Sequence, residues 1–323
     1  MQKATCFLFI ILLVITCKRP DVSEQGQFAI IGTCELPGYA QDLDIHGEYA
    51  YVANGQAGLQ VVNVADPASP YSAGGYEDTQ ESALAVAVRD SFAYVGLGSG
   101  AGLLVLDIRN PSAPDSEWYV GEDGGYTEYD ICAPPDTFYI YIAAHDFFIV
   151  ENCSTQFPYY EQRTGTPGTA RGIFVDNSYA YLACEQMGLS IYFAARPDTG
   201  VPIRIGSVDT PSNARDVYVV DDYAYVADGR AGLTIINVAD PENPQIADTY
   251  DTPAYANDVF VDGDYAYVAD GDGGVQVIDI SIPEEPMLYA SIETSYANAI
   301  YVRDGLVYVA DRDMGLVIIE EEQ

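Results

Sequence analysis

Lysine is nearly missing from this chain. Lys3 and Lys18 are the two lysines in 323 residues, and both lie near the N-terminus. Everything after them carries positive charge on arginine alone, so no lysine there can form a Schiff base. Lys and Arg total 13 against 49 Asp and Glu, giving a formal net charge of −36. A field of that sign repels nucleic acid and anionic lipid, which excludes both as partners. It suits solubility in a salty medium, or attraction of cations and basic partners.

Histidine is scarce too, with His46 and His145 only. His46 falls in a first-to-second-strand turn and His145 in a second-to-third-strand turn. Antiparallel strands send those turns to opposite faces, so the pair cannot share a metal or a catalytic site. The chain has no G-x-S-x-G elbow, no H-E-x-x-H and no P-loop. Its six cysteines show no C-x-x-C spacing. Cys34, Cys132, Cys153 and Cys184 fall in different strands, and the expectation is free buried thiols rather than bridges. Long apolar runs are also lacking. The longest near the start, Phe7 to Ile15, is far short of the roughly 20 residues that span a bilayer.

That short run follows Lys3 and ends in Val14-Ile15-Thr16-Cys17. It reads as a secretory signal over residues 1–17 with a lipobox-like end. Acylation of Cys17 would anchor the protein to a membrane without spanning it. The expected location is the outer membrane or cell surface, with plain secretion as the second choice and an uncleaved anchor as the third. Residues 18–27 are polar and aperiodic, as in a tether.

What the chain has in abundance is repetition. In residues 255–286, YANDVFVDGDYAYVADGDGGVQVIDISIPEEP, three runs alternate with period two. Asp262-Gly263-Asp264 and the Asp270 to Gly274 stretch separate them as hairpin connections. Pro283 and Pro286 stop the third strand, and a fourth follows. The second tyrosine of the Y-A-Y core recurs at Tyr51, Tyr94, Tyr141, Tyr181, Tyr225, Tyr267 and Tyr308, 40 to 47 residues apart. A period in the 40s with four strands per period predicts an all-β propeller over residues 28–323, of seven blades with four antiparallel strands each. Residues 28–35 match a fourth strand, while the last unit stops after its third. The N-terminal strand is therefore expected to complete the last blade, which removes an open edge and leaves a monomer.

The third strands form a set: Leu59-Gln-Val-Val-Asn63, Leu103-Leu-Val-Leu-Asp107, Leu233-Thr-Ile-Ile-Asn237, Val275-Gln-Val-Ile-Asp279 and Leu316-Val-Ile-Ile-Glu320. The chain resembles the LVIVD-repeat family in these strands, over roughly residues 28–320. The resemblance implies an exported propeller and brings no catalytic residues. The unit at residues 126–160 departs most. It lacks the glycine hairpin, and the stretch from Trp118 to Tyr126 reads as an insert before it.

Candidate functional residues sit where innermost strands begin, on the face that also carries the second-to-third-strand turns. They are Gln41-Asp42, Glu128-Tyr129, Arg171-Gly172, Arg215-Asp216, Asn257-Asp258 and Asn298-Ala299. The expected ligand residues are Asp42, Arg171, Arg215, Asp216, Asn257, Asp258 and Asn298, as a polar pocket at a channel mouth. The alternative is that they cap strands and pair across blades. Asp270, Asp272, Asp311 and Asp313 add carboxylates on the same face and make calcium the one cofactor considered. The function expected is recognition of a protein, glycan or surface polymer by a non-catalytic, envelope-anchored scaffold. The other reading is an envelope hydrolase or lyase that uses acidic and Arg residues at the mouth.

Overall fold

The computed structural model describes residues 26–322 apart from 78, 80, 99, 101, 121–126, 136, 138, 153–160, 177 and 195–200. Cys17, the signal and most of the tether lie outside the described residues. β-Branched and aromatic runs form the strands, and Asx-Gly pairs turn the chain between them. The N-terminal strand is β1 (Phe28–Cys34). The first sheet holds β2 (Asp42–His46), β3 (Tyr49–Ala53), β4 (Leu59–Asn63) and β5 (Tyr71–Tyr76). The second holds β6 (Ala83–Arg89), β7 (Phe92–Leu97), β8 (Gly102–Asp107) and β9 (Asp115–Val120). Next come β10 (Glu128–Cys132), β11 (Tyr139–Ala144), β12 (Phe147–Asn152) and β13 (Glu161–Gly165). The fourth sheet is β14 (Gly172–Asp176), β15 (Tyr179–Ala183), β16 (Leu189–Phe193) and β17 (Ile203–Val208). The fifth is β18 (Asp216–Val220), β19 (Tyr223–Ala227), β20 (Leu233–Asn237) and β21 (Gln245–Tyr250). The sixth is β22 (Asp258–Asp262), β23 (Tyr265–Ala269), β24 (Val275–Asp279) and β25 (Met287–Ile292). The last strands are β26 (Ala297–Arg303), β27 (Leu306–Asp311) and β28 (Gly315–Glu321).

The innermost strands β2, β6, β10, β14, β18, β22 and β26 touch in succession, and β26 returns to β2. The ring closes because β1 lies outside β28 in the last sheet, with Phe28 opposite Glu321 and Cys34 opposite Leu316. The first stretch of chain thereby covers the edge that the final strand would otherwise expose.

Six of the four-stranded sheets are blades of the expected LVIVD type, not seven. In those six the second-to-third-strand turn ends in a left-handed glycine: Gly58, Gly102, Gly188, Gly232, Gly274 and Gly315. A Cβ at Gly58 or Gly274 would lie 2.2 Å from the carbonyl oxygen of Tyr76 or Ile292 in the fourth strand. Glycine there lets the fourth strand close over the turn, besides supplying the positive φ. The sheet β10–β13 is built differently. His145 and Asp146 alone join β11 to β12, with His145 at φ 41°. The longer turns cross to the next blade through the bridges Gly55 to Ala83, Glu185 to Ala214, Gly229 to Ala256 and Gly271 to Ala297. The short turn has no such arm, and instead the His145 carbonyl accepts the Ala170 N–H at 2.7 Å.

The core lies between sheets. Tyr267, Val275 and Val277 of one sheet pack on Ile300, Val302, Val307, Val309, Val317 and Ile319 of the next. The second tyrosine of every Y-A-Y segment is buried, Tyr51 to 1% exposure. Each such side chain contributes about 1.5–3 kcal/mol when fully removed from water. A lone blade has nothing to bury these faces against, so the sheets stabilise one another.

One smaller expectation changes, and the expectation of free thiols holds for the three described cysteines. Trp118 to Val120 are no insert: they belong to β9, where Trp118 pairs with Val105. Residues 121–126 lie outside the described residues. Cys34, Cys132 and Cys184 are free. Burial pushes the Cys132 and Cys184 thiols up to about 12, so neither is a ready nucleophile. Cys153 lies outside the described residues.

Candidate functional site at the channel mouth

A cavity of about 270 Å³ opens where the innermost strands begin. Its lining includes Gln41, Asp42, Tyr129, Asp130, Arg171, Arg215, Asp216, Asn257, Asp258 and Asn298. All seven residues expected to bind ligand thus come together. They divide into two groups with different duties.

The aspartates join blades. Asp42 accepts the Leu43 N–H through Oδ1 at 2.8 Å and the Val86 N–H of the next inner strand through Oδ2 at 2.7 Å. Asp258 does the same with Val259 and Ile300, both at 2.7 Å. Asp130 spans to Ile173 at 2.7 Å, and Asp216 to Val259 at 3.3 Å. Asp44, one step deeper, spans to Val88 at 2.7 Å. The inner edge of an inner strand has no strand partner, and these carboxylates satisfy its N–H groups.

Their placement shifts their titration. Burial pushes the Asp42 carboxyl up to about 7, with Asp44 and Asp216 adding to it and the bonds from Val86 and Leu43 opposing it. Burial holds Asp130 well above the usual carboxylate range, reinforced by Asp216 and Asp42. Asp258 is raised similarly by burial and then by Asp216, to which it is hydrogen-bonded. The ring therefore holds protons that exposed carboxylates would release.

The remaining groups are less committed. Asn257 Nδ2 donates to the Ala297 carbonyl at 3.1 Å and Asn298 Nδ2 to the Ala40 carbonyl at 2.6 Å. Their amide oxygens accept no hydrogen bond among the described residues. Arg171 Nε donates to Glu185 Oε1 at 2.6 Å, and its guanidinium lies over the Tyr129 ring at 3.8 Å. Arg215 Nη1 is 3.8 Å from the same Glu185 oxygen, and its Nε is buried without a partner. Burial lowers the Arg215 pKa, and Arg171 lowers it further.

The suggested calcium residues do not converge. Asp270 is buried and accepts Thr252 Oγ1 at 2.6 Å and the Ala254 N–H at 2.9 Å. Asp311 is buried and accepts the N–H groups of Tyr296, Asp313 and Met314. Both tie their own turn to the connection that follows the fourth strand of the preceding blade. Asp313 is exposed against Arg312, and Asp272 is exposed. No cluster of three or more His, Cys, Asp or Glu able to hold a metal occurs among the described residues.

The family model of the LVIVD repeat matches residues 37–78, 81–116, 167–191, 211–252, 253–294 and 295–320. The chain belongs to the LVIVD-repeat family. The six matched segments correspond to the six blades with the glycine-ended turn, and the sheet β10–β13 lies outside all of them. No curated protein matches this LVIVD-repeat protein. Among solved structures it is similar to the WD40 β-propeller domain of Doa1, with a TM-score of 0.73 and 10% identity over 92% of this chain and 98% of that one. It is also similar to the computationally designed Ika8 protein, with a TM-score of 0.65 and 9% identity over 91% and 99%. Identities this low show the propeller fold alone.

Sequence reasoning missed Glu185, Asp44 and Asp130 in this LVIVD-repeat protein. Asp130 was hidden by a bulge in β10, where Glu128 pairs with Ala144 and Asp130 already pairs with Ala143. The signal for Glu185 was available: it stands where three of the other turns have Gly55, Gly229 and Gly271.

Proposed function

We propose that this protein is an exported, envelope-anchored propeller whose channel mouth binds a polar ligand, a glycan or the polar end of a surface polymer. Cys17 supplies the anchor in this reading, and the propeller works as a monomer. The single observation that carries it is the set of open hydrogen-bonding groups in the 270 Å³ cavity: Arg171, Arg215, Asn257 and Asn298, on four different sheets. Groups held by rigid strands orient a ligand without the ordering cost that a loop imposes. Tyr129 stacks under the Arg171 guanidinium and holds it at the mouth.

A glycan array and an envelope extract, probed with the full-length chain with and without calcium, test this. Arg215→Ala and Asn257→Ala should each weaken the bound ligand by about 1–3 kcal/mol. Unchanged binding in both variants would remove the mouth from consideration.

The hydrolase or lyase reading has one observation in its favour. Carboxyls raised by burial, Asp42 and Asp258, share the cavity with Arg215. Both oxygens of each carboxyl are, however, engaged by backbone N–H groups, so proton transfer to a substrate would have to break a blade contact. Binding is therefore the better supported function, and shortening of an acidic polysaccharide on incubation would reverse that order.

A further inference from the structure

We propose that Arg171 and Arg215 form a receptor for a ligand carboxylate, and that Glu185 occupies this receptor when the mouth is empty. The proposal rests on the mouth being a ligand site and names the chemistry the site takes.

The junction of the fourth and fifth sheets departs from the two that follow it at three coupled positions. At the second position of the turn, Gly55, Gly229 and Gly271 have φ of 58°, 54° and 54°, while Glu185 holds φ 43° without being glycine. A side chain in that left-handed region is strained, and strain of this kind points to a task for the side chain. The four residues otherwise do the same work, each bridging to an alanine of the next blade. A Cβ placed on Gly229 or Gly271 would meet the Tyr255 or Tyr296 ring at 2.9 or 3.2 Å. The residue matching those tyrosines after Glu185 is Asn213, which leaves room for the longer side chain. Two residues on, Arg215 stands where the next unit has Asn257. Glutamate, its space and an extra arginine thus occur together at one junction between blades.

The resulting charge balance is incomplete. One carboxylate, Glu185, serves two guanidiniums through a single oxygen, at 2.6 Å and 3.8 Å. Arg215 Nε has no partner, and the Arg171 side chain makes no other hydrogen bond among the described residues. The aspartates of the cavity do not compensate, because their oxygens accept blade-joining N–H groups. Two guanidiniums with open donors match the paired oxygens of a carboxylate. A ligand carboxylate can take the place of Glu185 and reach both arginines.

Calorimetric titration of the full-length chain with glucuronate, succinate and glucose tests this. Glucuronate should bind and glucose should not. Binding of succinate as well would make a bare carboxylate sufficient, and its failure would make the sugar ring necessary. Glu185→Gly should tighten glucuronate about tenfold or more, the size expected when a buried competitor for charged hydrogen bonds is removed. Its fold should hold, since glycine already occupies the matching positions, and an unchanged melting temperature checks that. Arg171→Ala and Arg215→Ala should each abolish the titration signal. The proposal fails if no carboxylate binds, if glucose binds as well as glucuronate, or if Glu185→Gly weakens or leaves binding unchanged. A ligand from the extract that is lost in Arg215→Ala yet insensitive to glucuronate and to Glu185→Gly would sink this inference and keep the mouth. A ligand indifferent to Arg215→Ala would sink both.

Discussion

Asp258 Oδ2 accepts the N–H of Ile300 at 2.7 Å, and the two residues belong to successive blades. With Oδ1 on the Val259 N–H, one carboxyl fastens two inner strands at the edge where neither has a strand neighbour.

Asp258→Ala should therefore act first on stability. It strands the Ile300 N–H, at a cost of about 1–3 kcal/mol for a buried donor left unpaired, and leaves the Val259 N–H only its 3.3 Å bond to Asp216. Asp258→Asn, which keeps one acceptor oxygen, should cost less. Urea denaturation of the three proteins measures the order, and an Asp258→Ala protein as stable as the wild type would contradict the fastening role.

The same ring predicts an unusual pH dependence. The Asp42 carboxyl is held up to about 7 by burial, so the folded protein binds its proton more tightly than the unfolded chain does. Its contribution is thus fully present below about 4, the unfolded value, and is lost as pH rises through about 7. The melting temperature should fall between pH 5 and pH 8, and the fall should persist in high salt, which screens surface repulsion but not a buried group. Asp42→Asn should flatten the slope. A melting temperature that rises over this interval would refute the assignment.

Two glycines separate conformational from steric demand. Gly263 and Gly274 both have positive φ, at 57° and 71°. A Cβ on Gly263 meets nothing within 4 Å, whereas one on Gly274 would lie 2.2 Å from the Ile292 oxygen. Gly263→Ala should cost about 1–2 kcal/mol, the left-handed penalty alone. Gly274→Ala should cost clearly more, because the fourth strand must also move. Equal losses in thermal melts would argue against the close approach of β25.

Deleting residues 28–35 should open the last blade. β28 would then present unpaired backbone along Leu316 to Ile319, now opposite β1. The truncated chain should melt lower and self-associate, as seen by light scattering. A monomer with the wild-type melting temperature would mean that β1 is dispensable for closure.

Much of this architecture was legible in the sequence for local reasons. Period-two alternation around Tyr265 to Ala269, turns at Asp270 to Gly274 and stops at Pro283 and Pro286 are dictated by backbone sterics and by side chains at fixed offsets. Repetition then multiplied the signal, and a missing strand at one end with a spare at the other gave the closure. The sequence also placed Arg171, Arg215 and Asn257 at one mouth, because equal positions in equal repeats must share a face. It overcounted the LVIVD blades: Tyr141 keeps the Y-A-Y spacing in the one sheet whose His145-Asp146 turn lacks the glycine arm.

Tertiary structure alone decided what the mouth side chains do. Asp42 and Asn257 look alike as polar residues at the start of a strand. Only the 2.7 Å approach of the Val86 N–H shows that Asp42 belongs to the joint between blades, while the Asn257 oxygen stays open. Glu185 is one acidic residue among 49 acidic residues in the chain, and its meaning depends on Arg171 and Arg215, 14 residues before it and 30 after. Such pairings arise when separate blades meet around an axis. No local rule of the chain encodes them, because the energy lies in distances that exist only after the ring has closed.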